Sequence, residues 1–191
     1  MSHFFAYISK MKWIKRWGLM KNTAEENIME HSWQVAVIAH GLAQINNDIL
    51  GKHVNSEHIA MLALYHETGE VITGDFATPI KYYNPEVKKV IGSLENVAKE
   101  KIFSMLPGEL QGGYRELIFP DEKSDEYRIV KAADKLCAYL KCVEELKWGN
   151  TEFSKAEKTI KKDLIAMNRD DVKYFMDNFV DSFSLTLDEL N

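Results

Sequence analysis

The sequence predicts an all-α protein, a single helical-bundle domain over residues 1–191. Three observations point there. Apolar residues recur at alternating steps of three and four in segment after segment, and no convincing period-two strand is found. Glycine (10) and proline (4) are scarce, and the four prolines lie between Pro79 and Pro120. The stretches 121–148 and 150–191 contain neither residue, which suits long helices and not a many-turned β fold. A length of 191 residues suits one domain, and 46% hydrophobic with 28% charged residues excludes a disordered or collagen-like chain.

The elements follow in order. A short first helix is expected around Phe4–Lys15, with Phe4, Ile8 and Met11 on one face. A second starts near the capping pattern Thr23-x-x-Glu26, or a few residues later, and runs to about Asn46 with the stripe His31, Val35, Ile38, Leu42 and Ile45. A third runs from Asn55 or Ser56 to about Thr68, with Ile59, Leu62, Ala63 and His66 aligned. Residues Gly69–Asn84 read as a long polar loop, a candidate for function. A fourth helix, about Pro85–Leu106, carries Val87, Val90, Leu94, Val97, Ile102 and Met105, with Pro85 well placed in its first turn. The Pro107–Glu122 region, rich in glycine and proline, holds at best a short helix. A fifth, about Ser124–Trp148, aligns Ile129, Ala133, Leu136, Leu140 and Val143 before the stop at Gly149. Two more are expected near 151–168 and 170–180, and Phe175, Phe179 and Phe183 toward the end of the chain read as core or interface, with core favoured.

Charge and cysteine usage exclude several function classes. A net charge of -5 argues against a binder of polymeric nucleic acid, though a small phosphate ligand needs only local positive charge. Cys137 and Cys142 lie on one helix at a spacing that forbids an unstrained bridge, so they read as reduced thiols of a cytoplasmic protein. The first 17 residues mix Lys10, Lys12, Lys15 and Arg16 among apolar ones and do not form a signal peptide. No run approaches the ~20 apolar residues of a membrane span.

Function is legible where polar residues interrupt apolar stripes. His31 opens the stripe of the second helix, and His66 closes that of the third, followed by Glu67. Asp134 borders the buried face of the fifth helix. Singly, each has an ordinary explanation: a core histidine bonded to a carbonyl, or Asp134 paired with Lys131 or Lys135. Together, two imidazoles and two carboxylates on inward faces are most simply satisfied by one divalent metal. The loop adds Glu70, Thr73, Gly74, Asp75, Thr78, Pro79 and Lys81, with hydroxyls and an ammonium for phosphate and carboxylates for protons. Arg16-Trp17 sets a planar cation beside a large ring, a pair suited to a phosphate and a sugar or base.

The order His…His-acid…Asp, and the stretches ENIMEHSWQVAVIAH, ALYHETGEVITGDFATPIKYYN and VKAADKLCAYLKCVEEL, resemble the bacterial 5'-deoxynucleotidases of the HD-domain metal-dependent phosphohydrolases. The resemblance spans nearly the whole chain. It implies an all-helical homodimer holding one divalent ion, often cobalt or manganese, that hydrolyses deoxyribonucleoside 5'-monophosphates to nucleoside and phosphate. It implies His31, His66, Glu67 and Asp134 as metal ligands, and Glu70 and Asp75 as the acid/base and water-positioning carboxylates. Substrate contacts would come from Arg16 and Trp17, with Trp17 disfavouring a ribose 2'-hydroxyl, and from Asp75, Phe76, Ala77, Thr78 and Lys81. One departure stands out: the family has His-Asp where this chain has His66-Glu67. The extra methylene carries the oxygen about 1.5 Å further unless the side chain folds back. Competing readings are an HD hydrolase of a nucleoside triphosphate or an alarmone-like nucleotide, a nucleotide sensor with catalysis weakened at Glu67, and a helical interaction domain.

Overall fold

The computed structural model describes residues 1–190 and contains ten α-helices among them. They are α1 (Phe4–Ile8), α2 (Ile28–Gln44), α3 (Ser56–Tyr65), α4 (Glu70–Thr73), α5 (Thr78–Lys81), α6 (Pro85–Phe103), α7 (Gly108–Ile118), α8 (Asp125–Lys147), α9 (Ser154–Ala166) and α10 (Asp170–Phe179). Strands are absent among the described residues, where only an isolated antiparallel bridge joins Lys15 to Asn27. No helix is long and apolar enough to cross a membrane.

The centre is built by α2, α3 and α8, with α9 against α8 and α10 against α2. The expected stripes of α2, α3 and α8 form this core: Val35, Leu42, Ile59, Ala63, Ala133, Leu136 and Leu140 are all fully buried. Asn27 starts α2 as a capping box, its side chain accepting from the Met29 and Glu30 amides while the Glu30 carboxylate accepts from the Asn27 amide. The later of the two expected starts is therefore the real one, and Thr23 is not the cap. Its amide instead donates to the buried Glu145 carboxylate at 2.8 Å. A second apolar cluster (Phe4, Ile102, Phe103, Leu106, Ile118) joins α1, α6 and α7 beside the first.

Five expectations change. The first helix is one short α-turn continued by a 3-10 segment, Ser9–Trp13. The loop 69–84 contains the short helices α4 and α5. The 107–122 region holds the eleven-residue α7, because Gly112 and Gly113 face open space and Tyr114 and Ile118 pack inward. The stripe expected for α6 is buried only at its C-terminal end, at Ile102 with Met105 packed alongside: Val90 and Val97 are two-thirds exposed and Leu94 nearly half, while Ile91 and Ala98, outside the stripe, are buried. Phe175 is buried and Phe183 packs on the core, but Phe179 is 45% exposed. Cys137 and Cys142 are buried free thiols, and burial raises both above the usual thiol range.

Beyond α2 the chain makes a wide π-type turn, Ile45–Ile49, pinned by a buried polar knot. The Asn46 amide donates to Asp171 Oδ2 at 2.6 Å and to Leu42 O at 2.9 Å, and Arg169 Nε donates to Asp171 Oδ1 at 3.0 Å. Replacing Asp171 by alanine strands Asn46 and Arg169. A loss of about 3 kcal/mol is expected, read as a Tm lower by about 6–12 °C; an unchanged Tm would show that the knot contributes nothing.

Candidate metal and nucleotide site

Three helices deliver the four predicted ligands to one point. His31 lies at the end of the first turn of α2, fully buried. Its Nδ1 faces Glu26 Oε1 at 3.3 Å and its Nε2 faces Asp134 Oδ1 at 3.1 Å. His66 caps the C-terminus of α3, where Nδ1 donates to the Ala63 carbonyl at 2.6 Å. That bond places the His66 Nε2 lone pair toward Glu67 Oε1 at 3.1 Å and Asp134 Oδ1 at 4.0 Å. Asp134 projects from α8, with Lys131 Nζ on its Oδ2 at 2.6 Å, so Oδ1 is the oxygen turned to both imidazoles. One ligand atom from each of His31, His66, Glu67 and Asp134 lies within 4.8 Å of the other three. Despite its additional methylene, Glu67 sets Oε1 3.1 Å from His66 Nε2, within the cluster.

The electrostatics favour a cation. Buried imidazole lone pairs opposite carboxylate oxygens repel one another unless a positive charge lies between them. His66 Nε2 is a buried nitrogen without a well-formed hydrogen bond. Burial lowers the His31 imidazole, but Asp134 and Glu26 outweigh it and raise its pKa. Burial pushes Asp134 and Glu67 up. Lys131 and the imidazoles outweigh it at Asp134, as His66 does at Glu67, so both stay well below the carboxylate range. The donor set of two imidazole nitrogens and two carboxylate oxygens fits a divalent ion of the manganese-to-zinc series. Lys131 does pair with Asp134, as one ordinary reading of that aspartate required, but through the oxygen away from the cluster; Lys135 pairs with Asp163 instead.

The loop carboxylates stand at the edge of this cluster. Glu70 is 3% exposed, and burial together with Glu67 and Asp75 pushes its carboxyl up to about 10. Asp75 is also raised by burial, while Arg16 opposes the shift. Lys81 Nζ lies 2.9 Å from Glu95 Oε1 and 3.8 Å from Glu70 Oε1, which moors α5 to α6. Gly69 permits the close approach of this loop, since a Cβ there would sit 3.1 Å from the Glu95 carbonyl. Gly74 turns the chain at φ 74°, a conformation that favours glycine. Phe76 and Ala77 are half-buried and Thr78 is exposed on the following turn, while the Thr73 hydroxyl is used by the loop itself, donating to Gly74 O at 3.0 Å.

Arg16 and Trp17 reach the same region from the N-terminal segment. Residues 14–16 pair antiparallel with 26–28: Ile28 N donates to Ile14 O at 3.0 Å and Arg16 N to Glu26 O at 2.9 Å. Trp17 follows with φ 56°, the left-handed region that a bulky residue rarely adopts. Its ring lies 5.3 Å from Phe153, and Arg16 is held among the negative charges of Glu26, Asp134, Glu67 and Asp75. Sequence reading missed Glu26, Glu95 and Phe153; none carries a local signal, because each acts across a tertiary contact.

An all-helical bundle that gathers His31, His66-Glu67 and Asp134 from three helices defines a metal-site hydrolase of the HD type. Solved structures share the fold: an HD-domain phosphohydrolase of Listeria innocua (lin2634) superposes with a TM-score of 0.82 at 24% identity over 95% of this chain and 88% of its own. The cyanophage S-2L HD phosphohydrolase DatZ, bound to dA and one catalytic Zn2+ ion, gives 0.67 at 18% over 93% of this chain and 96% of its own. The family described as 5'-deoxynucleotidase YfbR-like matches residues 3–183, and the chain belongs to it. Among its relatives, the 5'-deoxynucleotidase VV1113 of Vibrio vulnificus is 48% identical over 191 residues, covering 100% of this chain and 98% of the relative. The 5'-deoxynucleotidase yfbR of Photorhabdus temperata is 50% identical over 192 residues at the same coverage.

Proposed function

We propose that this chain is a metal-dependent 5'-deoxynucleotidase that converts deoxyribonucleoside 5'-monophosphates to deoxynucleoside and inorganic phosphate, with His31, His66, Glu67 and Asp134 holding one divalent ion. The observation that carries the reading is the convergence of two imidazole nitrogens and two carboxylate oxygens within 4.8 Å. Relatives of about 50% identity named for this activity support the substrate class.

A bound divalent ion supplies Lewis-acid charge at a phosphate oxygen and a more acidic water. Arg16 neutralises the phosphate through its guanidinium fork. Trp17 lies against the sugar and disfavours a 2'-hydroxyl, and Asp75 through Thr78 line the nucleotide. Glu70 and Asp75 are the catalytic carboxylates: one orients water and takes its proton as the new P–O bond forms, and the other gives a proton to the 5'-oxygen as the old bond breaks. Lys81, beside Glu70, adds positive charge at the phosphate end. The ion is Co2+ or Mn2+, in a cytoplasmic enzyme whose partner is the nucleotide and not a nucleic-acid polymer or a membrane.

The test is product release from deoxy- and ribonucleoside monophosphates and from triphosphates under Mn2+, Co2+ and Zn2+. Inorganic phosphate from deoxynucleoside monophosphates is expected. Release of pyrophosphate or triphosphate, or saturable binding with no turnover under any ion, would overturn the assignment. Thermal melts give an independent check: at an ion concentration of about 100 Kd the native state gains about 2.7 kcal/mol, so Mn2+ should raise Tm by about 5–10 °C and EDTA should cancel the rise.

We further propose that the enzyme is a homodimer whose copies meet on the apolar stripe Val90, Leu94 and Val97 that α6 leaves exposed. Light scattering should give twice the monomer mass for the wild type and the monomer mass for Leu94→Glu; a monomeric wild type would refute this.

A further inference from the structure

We infer that Glu26 is a positioning residue that joins the pair Arg16-Trp17 to His31, so that metal affinity and preference for the 2'-deoxy sugar depend on one carboxylate. The inference rests on the function proposed above. Its basis is the division of labour between the two Glu26 oxygens. Oε1 faces His31 Nδ1 at 3.3 Å. Oε2 accepts the Trp17 indole hydrogen bond at 3.0 Å and faces Arg16 Nε at 3.5 Å. The side chain is 13% exposed, as is that of Arg16. One hydrogen bond, from the Trp17 indole, and two charge contacts, from Arg16 and His31, therefore bring two separate segments onto one largely buried acid.

Each contact has a consequence. A carboxylate 3.3 Å from Nδ1, short of a well-formed hydrogen bond, still favours the tautomer with its proton on Nδ1 and so makes Nε2 a better donor to a metal; a partner of this kind is worth 10–100-fold in affinity at comparable sites. The indole bond fixes the ring of a residue whose backbone is strained, and strain of that kind persists only where the surroundings impose it. Phe153 backs the ring from another side but supplies no polar anchor. Glu26, with Glu25, also lines two hollows: one of about 270 Å3 that Arg16 and Asn22 share, and one of about 550 Å3 that Met29 and Trp33 share. Removing its charge therefore alters the metal ligand and the nucleotide pair at once, although Glu26 touches neither metal nor substrate.

The test compares wild type, Glu26→Gln, Trp17→Phe and the double variant. Mn2+ affinity is measured by calorimetry on chelator-stripped protein. The deoxy-over-ribo ratio of kcat/KM is measured on matched monophosphates. Glu26→Gln should weaken Mn2+ binding at least tenfold and reduce the sugar preference. Trp17→Phe should reduce the preference while leaving Mn2+ affinity within about threefold. The double variant should show no less preference than the more severe single change, because both act through one ring. If circular dichroism shows Glu26→Gln unfolded, Glu26→Asp, which draws the charge back by one methylene, should lower both quantities. Wild-type Mn2+ affinity or wild-type sugar preference in the folded Glu26 variant overturns the inference alone. A wild type that neither binds Mn2+ nor dephosphorylates deoxynucleotides removes the proposed function and this inference with it.

Discussion

Replacing His66 or Asp134 by alanine is expected to lower metal-dependent dephosphorylation by a factor on the order of 10³ or more, with the helical circular dichroism signal retained. The magnitude follows from the several kcal/mol that a metal supplies to a phosphoryl transition state. His66 offers a buried Nε2 whose ring is already oriented by the Ala63 carbonyl. Asp134 offers the oxygen that faces both imidazoles. Neither change opens a large apolar cavity. After Asp134→Ala the released Lys131 remains half-exposed and hydrated, so the fold should survive. Full activity in either variant would remove the metal assignment, and loss of the helical signal would show that these residues hold the fold.

Glu145→Ala is expected to be the most destabilising single polar change, by about 3–5 kcal/mol, because it strands a buried ammonium. Glu145 is 1% exposed and its neighbour Lys141 is 7% exposed. The same carboxylate accepts from the Thr23 and Ala24 amides and from Asn150. It thus pins the segment that carries Arg16 and Glu26 onto α8, so activity should fall with stability. The pH dependence has a definite sign. Burial opposes ionisation, but the bonds from Lys141, Asn150 and Thr23 hold Glu145 down at about 2. A depressed carboxylate stabilises the native state above its unfolded pKa, and that contribution fades as pH falls toward the folded value. The Tm gap between wild type and variant should therefore be full at pH 6 and shrink between about pH 4.5 and 2. A gap independent of pH would show that the loss is one of packing.

The helices were legible where a stripe is both apolar and covered. In α2, α3 and α8, steps of three and four aligned residues that the structure buries, and the polar interruptions His31, His66 and Asp134 marked the site. In α6 the same rule chose Val90, Leu94 and Val97, which are apolar but uncovered within this chain. Periodicity detects a stripe, not the surface that will meet it. The helix over Gly108–Ile118 was obscured by two glycines whose propensity cost is overridden by packing of Tyr114 against Phe4, ring centroids 5.3 Å apart. In the site, resemblance pointed to Arg16 and Trp17, but the carboxylate beside them, Glu26, was not readable as their neighbour. Glu26 looks like part of a helix cap in sequence, whereas the structure sets it beside Arg16, Trp17 and His31 through two extended segments that pair across eleven residues. Glu95 is likewise invisible until α6 lies beside α5.

The central claim is that distant helices share one cation. Crystals of the protein soaked in Mn2+ and measured at the manganese absorption edge test it most directly. A single anomalous peak in contact with His31, His66, Glu67 and Asp134 is expected. A featureless map there, or a peak bound elsewhere while these side chains keep apart, would contradict it.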